Sequence, residues 1–263
     1  MLTTRILSAL VMAPPALAAI WWGGYAFAAL VLIAVAIMCW EWDTIVTKHF
    51  GWSGRLSALG CAIAVATAVE RPEAAVMIVA AAAVAAAAVA PGHGERARLW
   101  AGLGPIYAGL PAVALIWLRG GDVPGRETLF WLMLLVWATD IGAYAAGRTL
   151  GGPLLLPRVS PKKTWSGLLG GIVSAGLVGL ATALLLGLPH PVAVAAGSGV
   201  LAVVAQAGDL MESWFKRRWG VKDSSNVIPG HGGVLDRVDG LLAVALAVAM
   251  ASLATGMTVL HWQ

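Results

Sequence analysis

Long apolar runs constrain the fold of this chain more than any other feature. Nine can be marked, each close to the ~17–25 residues that a helix needs to cross a bilayer. They lie near residues 6–22, 24–42, 56–70, 72–91, 99–118, 127–147, 166–188, 190–207 and 238–260. Apolar residues make up 60% of the chain and charged residues 11%, against about 25% charged in a typical soluble domain. The sequence therefore predicts an all-α polytopic integral membrane protein with about nine transmembrane helices.

The positions of the basic residues predict the orientation of these helices. With nine spans, fourteen of the 17 Lys and Arg residues fall on the side of the N-terminus, and three (Arg71, Arg119 and Arg126) fall on the other. Lys and Arg concentrate in cytoplasmic loops, so we expect the N-terminus to be cytoplasmic and the C-terminus to lie outside. The first run resembles a signal peptide, but it continues directly into a second span, so we interpret it as a retained helix.

Aromatic residues and cysteines add two weaker indications. Tryptophans cluster near the predicted span ends, where amphipathic rings favour the membrane interface: Trp21, Trp22, Trp40, Trp42, Trp52, Trp100, Trp165 and Trp262. The two cysteines, Cys39 and Cys61, lie in or near apolar runs. A disulfide framework or a zinc site is not indicated. Glu41 and Asp43 follow the second run closely, and we interpret them as a solvated interfacial pair.

A charge-dense stretch from Asp209 to Asp239 interrupts this apolar pattern and holds ten of the 30 charged side chains. Five are acids and five are bases: Asp209, Glu212, Asp223, Asp236 and Asp239, and Lys216, Arg217, Arg218, Lys222 and Arg237. Asp236 and Asp239 are three residues apart, so they share a face if a helix begins there. The glycine-rich segment before them predicts a tight turn.

Two interpretations of this stretch are open. Carboxylates at a membrane surface suit Mg²⁺, which completes its shell with phosphate and water, and the bases suit phosphate oxygens. Alternatively, the acids cap a helix and the bases touch anionic lipid. The combination of acids, glycine turn and bases favours the metal and phosphate interpretation.

Twelve residues of this stretch fit the pattern S-x-x-K-R-x4-K-D-x-S-x5-H-G-G-x-x-D-R-x-D, which resembles the signature of phosphatidate cytidylyltransferases (CDP-diacylglycerol synthases). They are Ser213, Lys216, Arg217, Lys222, Asp223, Ser225, His231, Gly232, Gly233, Asp236, Arg237 and Asp239. The segments Thr139–Tyr144 and Ser160–Trp165 also resemble blocks of this family. The resemblance covers residues 137–243 closely, and the N-terminal half matches as a series of apolar spans.

The resemblance implies an activity. Family members condense CTP with phosphatidic acid, giving CDP-diacylglycerol and pyrophosphate, and they require Mg²⁺, which they can pair with K⁺. By similarity, Asp209, Asp236 and Asp239 hold the metal and act in catalysis with Lys222 and Asp223. A wider group is implied in substrate and phosphate binding: Asp140, Ser160, Lys163, Thr164, Ser213, Lys216, Arg217, His231, Gly232, Gly233 and Arg237. Relatives also suggest a homodimer, and no nucleic acid is expected as a partner.

The residues outside the signature support this interpretation in part. Asp140 is an ionisable residue inside an apolar span, which is costly and usually functional, although a hydrogen bond to a neighbouring helix would also explain it. His231 either contacts phosphate or is held within its turn. We expect residues 1–118 to form an N-terminal membrane region of about five spans. Residues 119–263 would form the catalytic region, with cytoplasmic loops 148–165 and 208–239.

Two other functions share some of these features. A related CTP-dependent membrane enzyme acting on an isoprenoid or ether lipid would use similar nucleotide and metal groups. A transporter would also have many spans and an intramembrane acid, but the chain lacks the internal repeats typical of transporters. The full signature favours phosphatidic acid as substrate. We therefore expect a multi-pass protein of a bacterial cytoplasmic (inner) membrane with its active site facing the cytoplasm.

Overall fold

The computed structural model describes residues 2–91, 95–256 and 260, and within them the chain forms nine helices. They are α1 (Leu2–Trp22), α2 (Gly24–Thr47), α3 (Trp52–Ala68), α4 (Pro72–Val89), α5 (Glu95–Arg119), α6 (Val123–Leu150), α7 (Trp165–Leu185), α8 (Pro191–Arg218) and α9 (Leu235–Thr255). Each predicted apolar run corresponds to one helix. Seven of them, α2 and α4 to α9, are long and apolar enough to cross a membrane.

The prediction of a helical, multi-pass membrane protein is therefore confirmed. The apolar part of α1 is shorter, at Leu10–Trp22, and α3 has 17 residues. Membrane crossing by these two helices, and with it the orientation of the termini, stays a prediction.

Several helices continue beyond the predicted ends of the spans. The run ending at residue 207 belongs to α8, which continues to Arg218, and α6 continues to Leu150. Charged side chains end a hydrophobic run, but they are good helix formers, so the backbone hydrogen bonds continue past the apolar segment. Asp209 therefore lies within α8 and not at its end.

A short antiparallel hairpin follows α6 and departs from the all-helical prediction. Its strands are β1 (Leu154–Leu156) and β2 (Ser160–Thr164), which pair with each other. The Thr164 side chain then accepts a hydrogen bond from the Gly167 amide at 3.1 Å and caps the start of α7. The hairpin thereby fixes the positions of Ser160, Lys163 and Thr164 relative to α7.

The chain divides into two compact units. The first contains residues 1–122 and 218–238, and the second contains residues 123–217 and 239–263. The first boundary is close to the predicted one at residue 118. The loop 218–238, however, belongs to the first unit although it was assigned to the catalytic region. The predicted functions of the two regions, one spanning the membrane and one carrying out catalysis, stay a prediction.

The first unit is held together partly by polar groups that reach from one helix to another. Trp42, predicted at the membrane interface, is buried, and its indole Nε1 donates to the Trp100 carbonyl oxygen at 2.7 Å. Arg119 is also buried, and its Nη2 donates to the Trp21 carbonyl oxygen at the end of α1 at 2.9 Å. The ring of Trp42 thus packs inside the protein, and its depth in the membrane stays a prediction. Trp262 lies outside the described residues.

The second unit packs its helices closely through small residues. On α8, a Cβ at Gly208 would come within 2.9 Å of the Asp239 carbonyl oxygen on α9, so glycine is needed for this approach. Trp131 on α6 donates from Nε1 to the Ser198 hydroxyl on α8 at 3.0 Å, in the buried interior. The first of these contacts places α8 next to Asp239 of α9.

Candidate active site

The glycine-rich segment of the first unit forms the tight turn that the sequence predicts. Ile228 and Gly232 pair as an isolated antiparallel bridge, and Gly230 and Gly232 have φ angles of 77° and 88°. L-residues rarely adopt such angles. At Gly233, a Cβ would lie 2.2 Å from Glu41 Oε1. The turn therefore depends on glycine both for its backbone conformation and for space.

Asp236 binds both this turn and Ser224, which precedes the turn. Its Oδ2 accepts hydrogen bonds from the Ser224 amide and hydroxyl, both at 2.9 Å, and from the Gly233 amide at 2.8 Å. Because α9 begins at Leu235, Asp236 and Asp239 both lie in its first two turns, on one face of the helix. The prediction that these two carboxylates share one helix face is confirmed. Asp236 also lies in the first turn of α9, where the alternative interpretation expected an acid that caps the helix.

The remaining signature residues of the first unit are more exposed. Lys222, Asp223 and Arg237 lie at the surface. The His231 side chain is half-buried, and its Nδ1 lies 2.7 Å from the Ser8 hydroxyl of α1. The histidine is thus held by another helix as well as by its turn.

Two acids in α2 have a role that their sequence context did not indicate. Glu41 is fully buried and Asp43 is 3% exposed, so the prediction of a solvated pair is wrong. Asp43 accepts hydrogen bonds from the Ser53 hydroxyl at 2.6 Å and the Gly51 amide at 3.0 Å, where α3 begins. Glu41 contacts the signature loop, the segment 219–234 between α8 and α9, through Ser225 and Val234. Like Asp140, both are acids within an apolar helix, where an ionisable side chain is costly and usually functional.

The second unit contains a polar cavity of about 290 Å³. Eleven residues from α6, the hairpin, α7 and α8 line it: Asp140, Ala143, Tyr144, Ser160, Lys162, Lys163, Thr164, Gly167, Leu168, Gln206 and Asp209. Five of the predicted site residues, Asp140, Ser160, Lys163, Thr164 and Asp209, therefore share one cavity. Its hydroxyl and ammonium groups are the kinds that bind phosphate oxygens.

Lys163 is the central base of this cavity. Its Nζ lies 2.6 Å from Asp209 Oδ2 and donates to Gln206 Oε1 at 2.8 Å. Asp209 Oδ1 also accepts a hydrogen bond from the Ser213 hydroxyl at 3.3 Å, one turn along α8. The side chains of Lys163 and Asp209 keep 19% and 33% exposure, so the pair remains accessible to a ligand.

Asp239 lies in the same electrostatic environment. The negative charges of Asp209 and Asp140 and the positive charge of Lys163 all act on its carboxylate. The Gly240 amide donates to its Oδ1 at 2.8 Å. The carboxylates of Asp209 and Asp140 thus act on that of Asp239, and the repulsion among these negative charges favours binding of an additional cation.

Two other predicted phosphate-binding bases lie further along α8. Lys216 is 8% exposed, and its Nζ lies 2.6 Å from Glu212 Oε2, one helical turn away. Arg217 is exposed. A phosphate contact by Lys216 would have to compete with this ion pair, so the structure favours a structural role for that lysine.

The donor chemistry of Asp209 and Asp239 fits Mg²⁺. Within the described residues, no group of three or more His, Cys, Asp or Glu side chains is arranged to hold a metal ion. Magnesium commonly takes one or two protein carboxylates and completes its octahedron with water and substrate phosphate. The carboxylates of Asp209 and Asp239 repel each other and lie next to a cavity lined by phosphate-binding groups, so they meet that requirement. The full predicted set, which adds Asp236, stays a prediction.

Comparisons with known proteins cover nearly the whole chain. The sequence model of the Cytidylyltransferase family matches residues 3–254. The chain is 39% identical over 244 residues to the phosphatidate cytidylyltransferase of Brucella suis, covering 93% of this chain and 90% of that protein. It is 34% identical to the phosphatidate cytidylyltransferase of Pseudomonas aeruginosa, with coverage of 92% and 94%. The similarity thus extends well beyond residues 137–243, and the family prediction made from the signature is confirmed.

Proposed function

The chain belongs to the cytidylyltransferase family, and we propose that it transfers the cytidylyl group from CTP to phosphatidic acid, giving CDP-diacylglycerol and pyrophosphate. One observation carries the proposal: the complete signature from Ser213 to Asp239 occurs in a chain that matches phosphatidate cytidylyltransferases along almost its full length. The cavity around Lys163 supports it, because phosphate groups need the bases and hydroxyls that line this space.

The transfer is an in-line displacement at phosphorus. A phosphate oxygen of phosphatidic acid forms a new bond to the α-phosphorus of CTP, while the bond from that phosphorus to the oxygen of pyrophosphate breaks. The electron pair of the broken bond leaves with pyrophosphate. No covalent enzyme intermediate is required, and positioning and charge stabilisation supply the catalysis.

The residues of this chain contribute charges and hydrogen bonds to that step. Lys163, Ser160 and Thr164 bind phosphate oxygens in the cavity, and Lys163 leaves Asp209 to do so. Lys222, Arg217 and Arg237, which are exposed, neutralise the charge that develops on the departing pyrophosphate.

Mg²⁺, with K⁺ as a potential second ion, is the cofactor that the resemblance implies. Asp209 and Asp239 would hold it, with Asp236 as the third ligand of the predicted set. When bound, the ion neutralises phosphate charge and helps to orient CTP. Asp140 adds negative charge that strengthens cation binding in the same environment.

The location follows from the distribution of basic residues. All nine helices cross a bacterial cytoplasmic membrane with the N-terminus inside, and both the hairpin and the signature loop face the cytoplasm, where CTP is available. A homodimer is proposed on the resemblance alone, and light scattering of the protein in detergent would measure it.

The decisive experiment is an acceptor assay. Protein purified in detergent should convert CTP and phosphatidic acid to a CDP-lipid, and removal of divalent metal with a chelator should stop turnover. Turnover with an isoprenoid or ether-lipid acceptor alone would favour the related membrane enzyme. If no lipid is turned over but reconstituted vesicles take up substrate, the protein is a transporter.

A further inference from the structure

Glu41 of α2 holds the start of α9 and the signature loop, although 184 residues or more separate it from them in sequence. Its Oε1 accepts hydrogen bonds from the Ser225 hydroxyl at 2.6 Å and the Val234 amide at 2.8 Å. Its Oε2 accepts from the Leu235 amide at 2.8 Å. All of these residues belong to the first compact unit.

The two amides are those that a helix cannot satisfy itself. The first N–H groups of a helix have no partner within it, and a nearby side chain of the preceding segment usually caps them. Here the cap for α9 comes from a different helix. Because the negative charge also lies at the positive end of the α9 dipole, the carboxylate is suited to this position.

Burial makes the Glu41 carboxylate dependent on these hydrogen bonds. The side chain has no exposed surface, and a buried carboxylate is tolerated only when hydrogen bonds satisfy it. Gly233 leaves the space for it, since a Cβ there would lie 2.2 Å from Glu41 Oε1. The loop is therefore shaped around this carboxylate.

Two carboxylates thus fix the ends of one segment. Asp236, in the first turn of α9, binds the Ser224 and Gly233 amides, and Glu41 binds Ser225, Val234 and Leu235 from α2. The segment between these anchors carries His231 and Gly232 of the signature, Asp223 precedes it directly, and Asp236 ends it. A change at Glu41 would move all of these groups together.

We propose that Glu41 is a positioning residue for cytidylyl transfer. It acts through the signature loop and the start of α9, and it does not touch substrate. The proposal rests on the proposed function, since a loop can be positioned for the reaction only if the reaction occurs. Partners that orient the ligands of a reactive centre typically contribute ~10–100-fold to activity.

Asp43 offers a matched control on the same helix. It is buried, it is two residues from Glu41, and it also caps a helix, but its partners Ser53 and Gly51 belong to the start of α3. Asp43→Ala therefore removes a buried capping carboxylate without a described contact to the signature loop. A general cost of losing such a group would affect both variants equally.

The test compares wild type, Glu41→Ala, Glu41→Gln and Asp43→Ala, each purified in detergent. The folded fraction is measured by thermal unfolding, and kcat and KM for CTP and phosphatidic acid are measured per folded molecule. Hydrogen exchange of peptides that contain Val234 and Leu235 reports on the cap directly. This second readout needs no substrate, so it separates failure of the positioning idea from failure of the proposed function.

We expect Glu41→Ala to lower kcat by about 10–100-fold and to speed exchange at the start of α9. Glu41→Gln should fall between it and wild type, because the amide oxygen still accepts hydrogen bonds while the amide nitrogen faces the Leu235 N–H. Asp43→Ala should unfold at a lower temperature with kcat near wild type. If Glu41→Ala does not fold, Glu41→Gln carries the same test.

Three results would overturn the proposal. Wild-type kcat in folded Glu41→Gln would do so, as would equal kcat losses in Glu41→Ala and Asp43→Ala. Unchanged exchange at Val234 and Leu235 in both Glu41 variants would show that the carboxylate does not hold the loop, whether or not the wild type turns over CTP.

Discussion

Carboxylates are satisfied differently in the two compact units. In the first, Glu41 and Asp236 accept hydrogen bonds mainly from backbone amides, which lie in fixed positions in the signature loop and at the start of α9. In the second, Asp209 is paired with the ammonium group of Lys163 at 2.6 Å, beside a cavity of about 290 Å³. Asp239 interacts with the same lysine.

The difference separates groups that hold the protein from groups that can change partner. A backbone amide cannot leave its carboxylate without unfolding the turn. A lysine on a flexible four-carbon chain can move to a phosphate and release its carboxylate for a cation. We therefore expect the signature loop of the first unit to stay rigid when substrate binds. We expect Lys163 and Asp209 of the second unit to exchange each other for phosphate and a cation.

The largest effect is expected from Asp239→Asn and Asp236→Asn. Each should reduce activity by at least ~100-fold, because the proposed role of these carboxylates is to hold the Mg²⁺ that neutralises phosphate charge. Asn retains a carbonyl oxygen that can still accept from Ser224 and Gly233 at position 236 and from Gly240 at position 239, so both variants should fold. The measurement is CDP-lipid formation per folded molecule, with Asp122→Asn, in an exposed loop, as the control. Near-normal rates would show that these carboxylates only cap the helix.

Lys163→Met tests the exchangeable charge in the second unit. We expect a loss of about 100-fold in kcat/KM with little change in Tm, since a partly exposed ion pair contributes under ~1 kcal/mol to stability. Arg158→Met is the control, because Arg158 is exposed at the turn of the same hairpin. A large fall in Tm with retained activity would place Lys163 among the structural groups instead.

The Glu212–Lys216 pair is expected to affect stability more than activity. Lys216→Met leaves a buried carboxylate without its ammonium partner and should cost about 3 kcal/mol in the free energy of unfolding. The double variant Glu212→Leu with Lys216→Met removes both charges and should recover most of that loss. If the double variant is stable but inactive, Lys216 contacts phosphate, as the family resemblance implies.

The substitutions with the smallest expected effect on activity test which side of the membrane the signature loop faces. Asn226→Cys and Gly121→Cys place exposed thiols on opposite sides of the predicted topology, while Cys39 and Cys61 are buried. In intact spheroplasts, a membrane-impermeant maleimide should label Gly121→Cys and reach Asn226→Cys only after lysis. Labelling of Asn226→Cys in intact cells would reverse the orientation. Activity should remain near wild type in both variants.

Much of the fold follows from hydropathy. Each predicted apolar run corresponds to one helix, because a long apolar segment in lipid must satisfy its backbone hydrogen bonds internally. The ends were less predictable. The apolar run of α8 stops near residue 207, but the helix continues to Arg218, because the Glu212–Lys216 pair and other helix formers support it outside the apolar segment.

The candidate site was predictable where its residues are close in sequence. The glycine turn and the relation of Asp236 to Asp239 depend on local backbone geometry and are confirmed. Pairings between distant segments were not predictable. The Lys163–Asp209 ion pair joins the hairpin to α8, and nothing in the sequence around either residue specifies the other.

The sequence by itself determined the membrane class, the helices, the family signature and the turn before α9. These features depend on apolar length and on residues within a few positions of each other. The tertiary structure decided which charges are paired, because pairing depends on helix packing. Glu41 illustrates the limit: its neighbours in sequence suggested a solvated acid, whereas its neighbours in space are two amides at the start of α9 that have no partner within that helix.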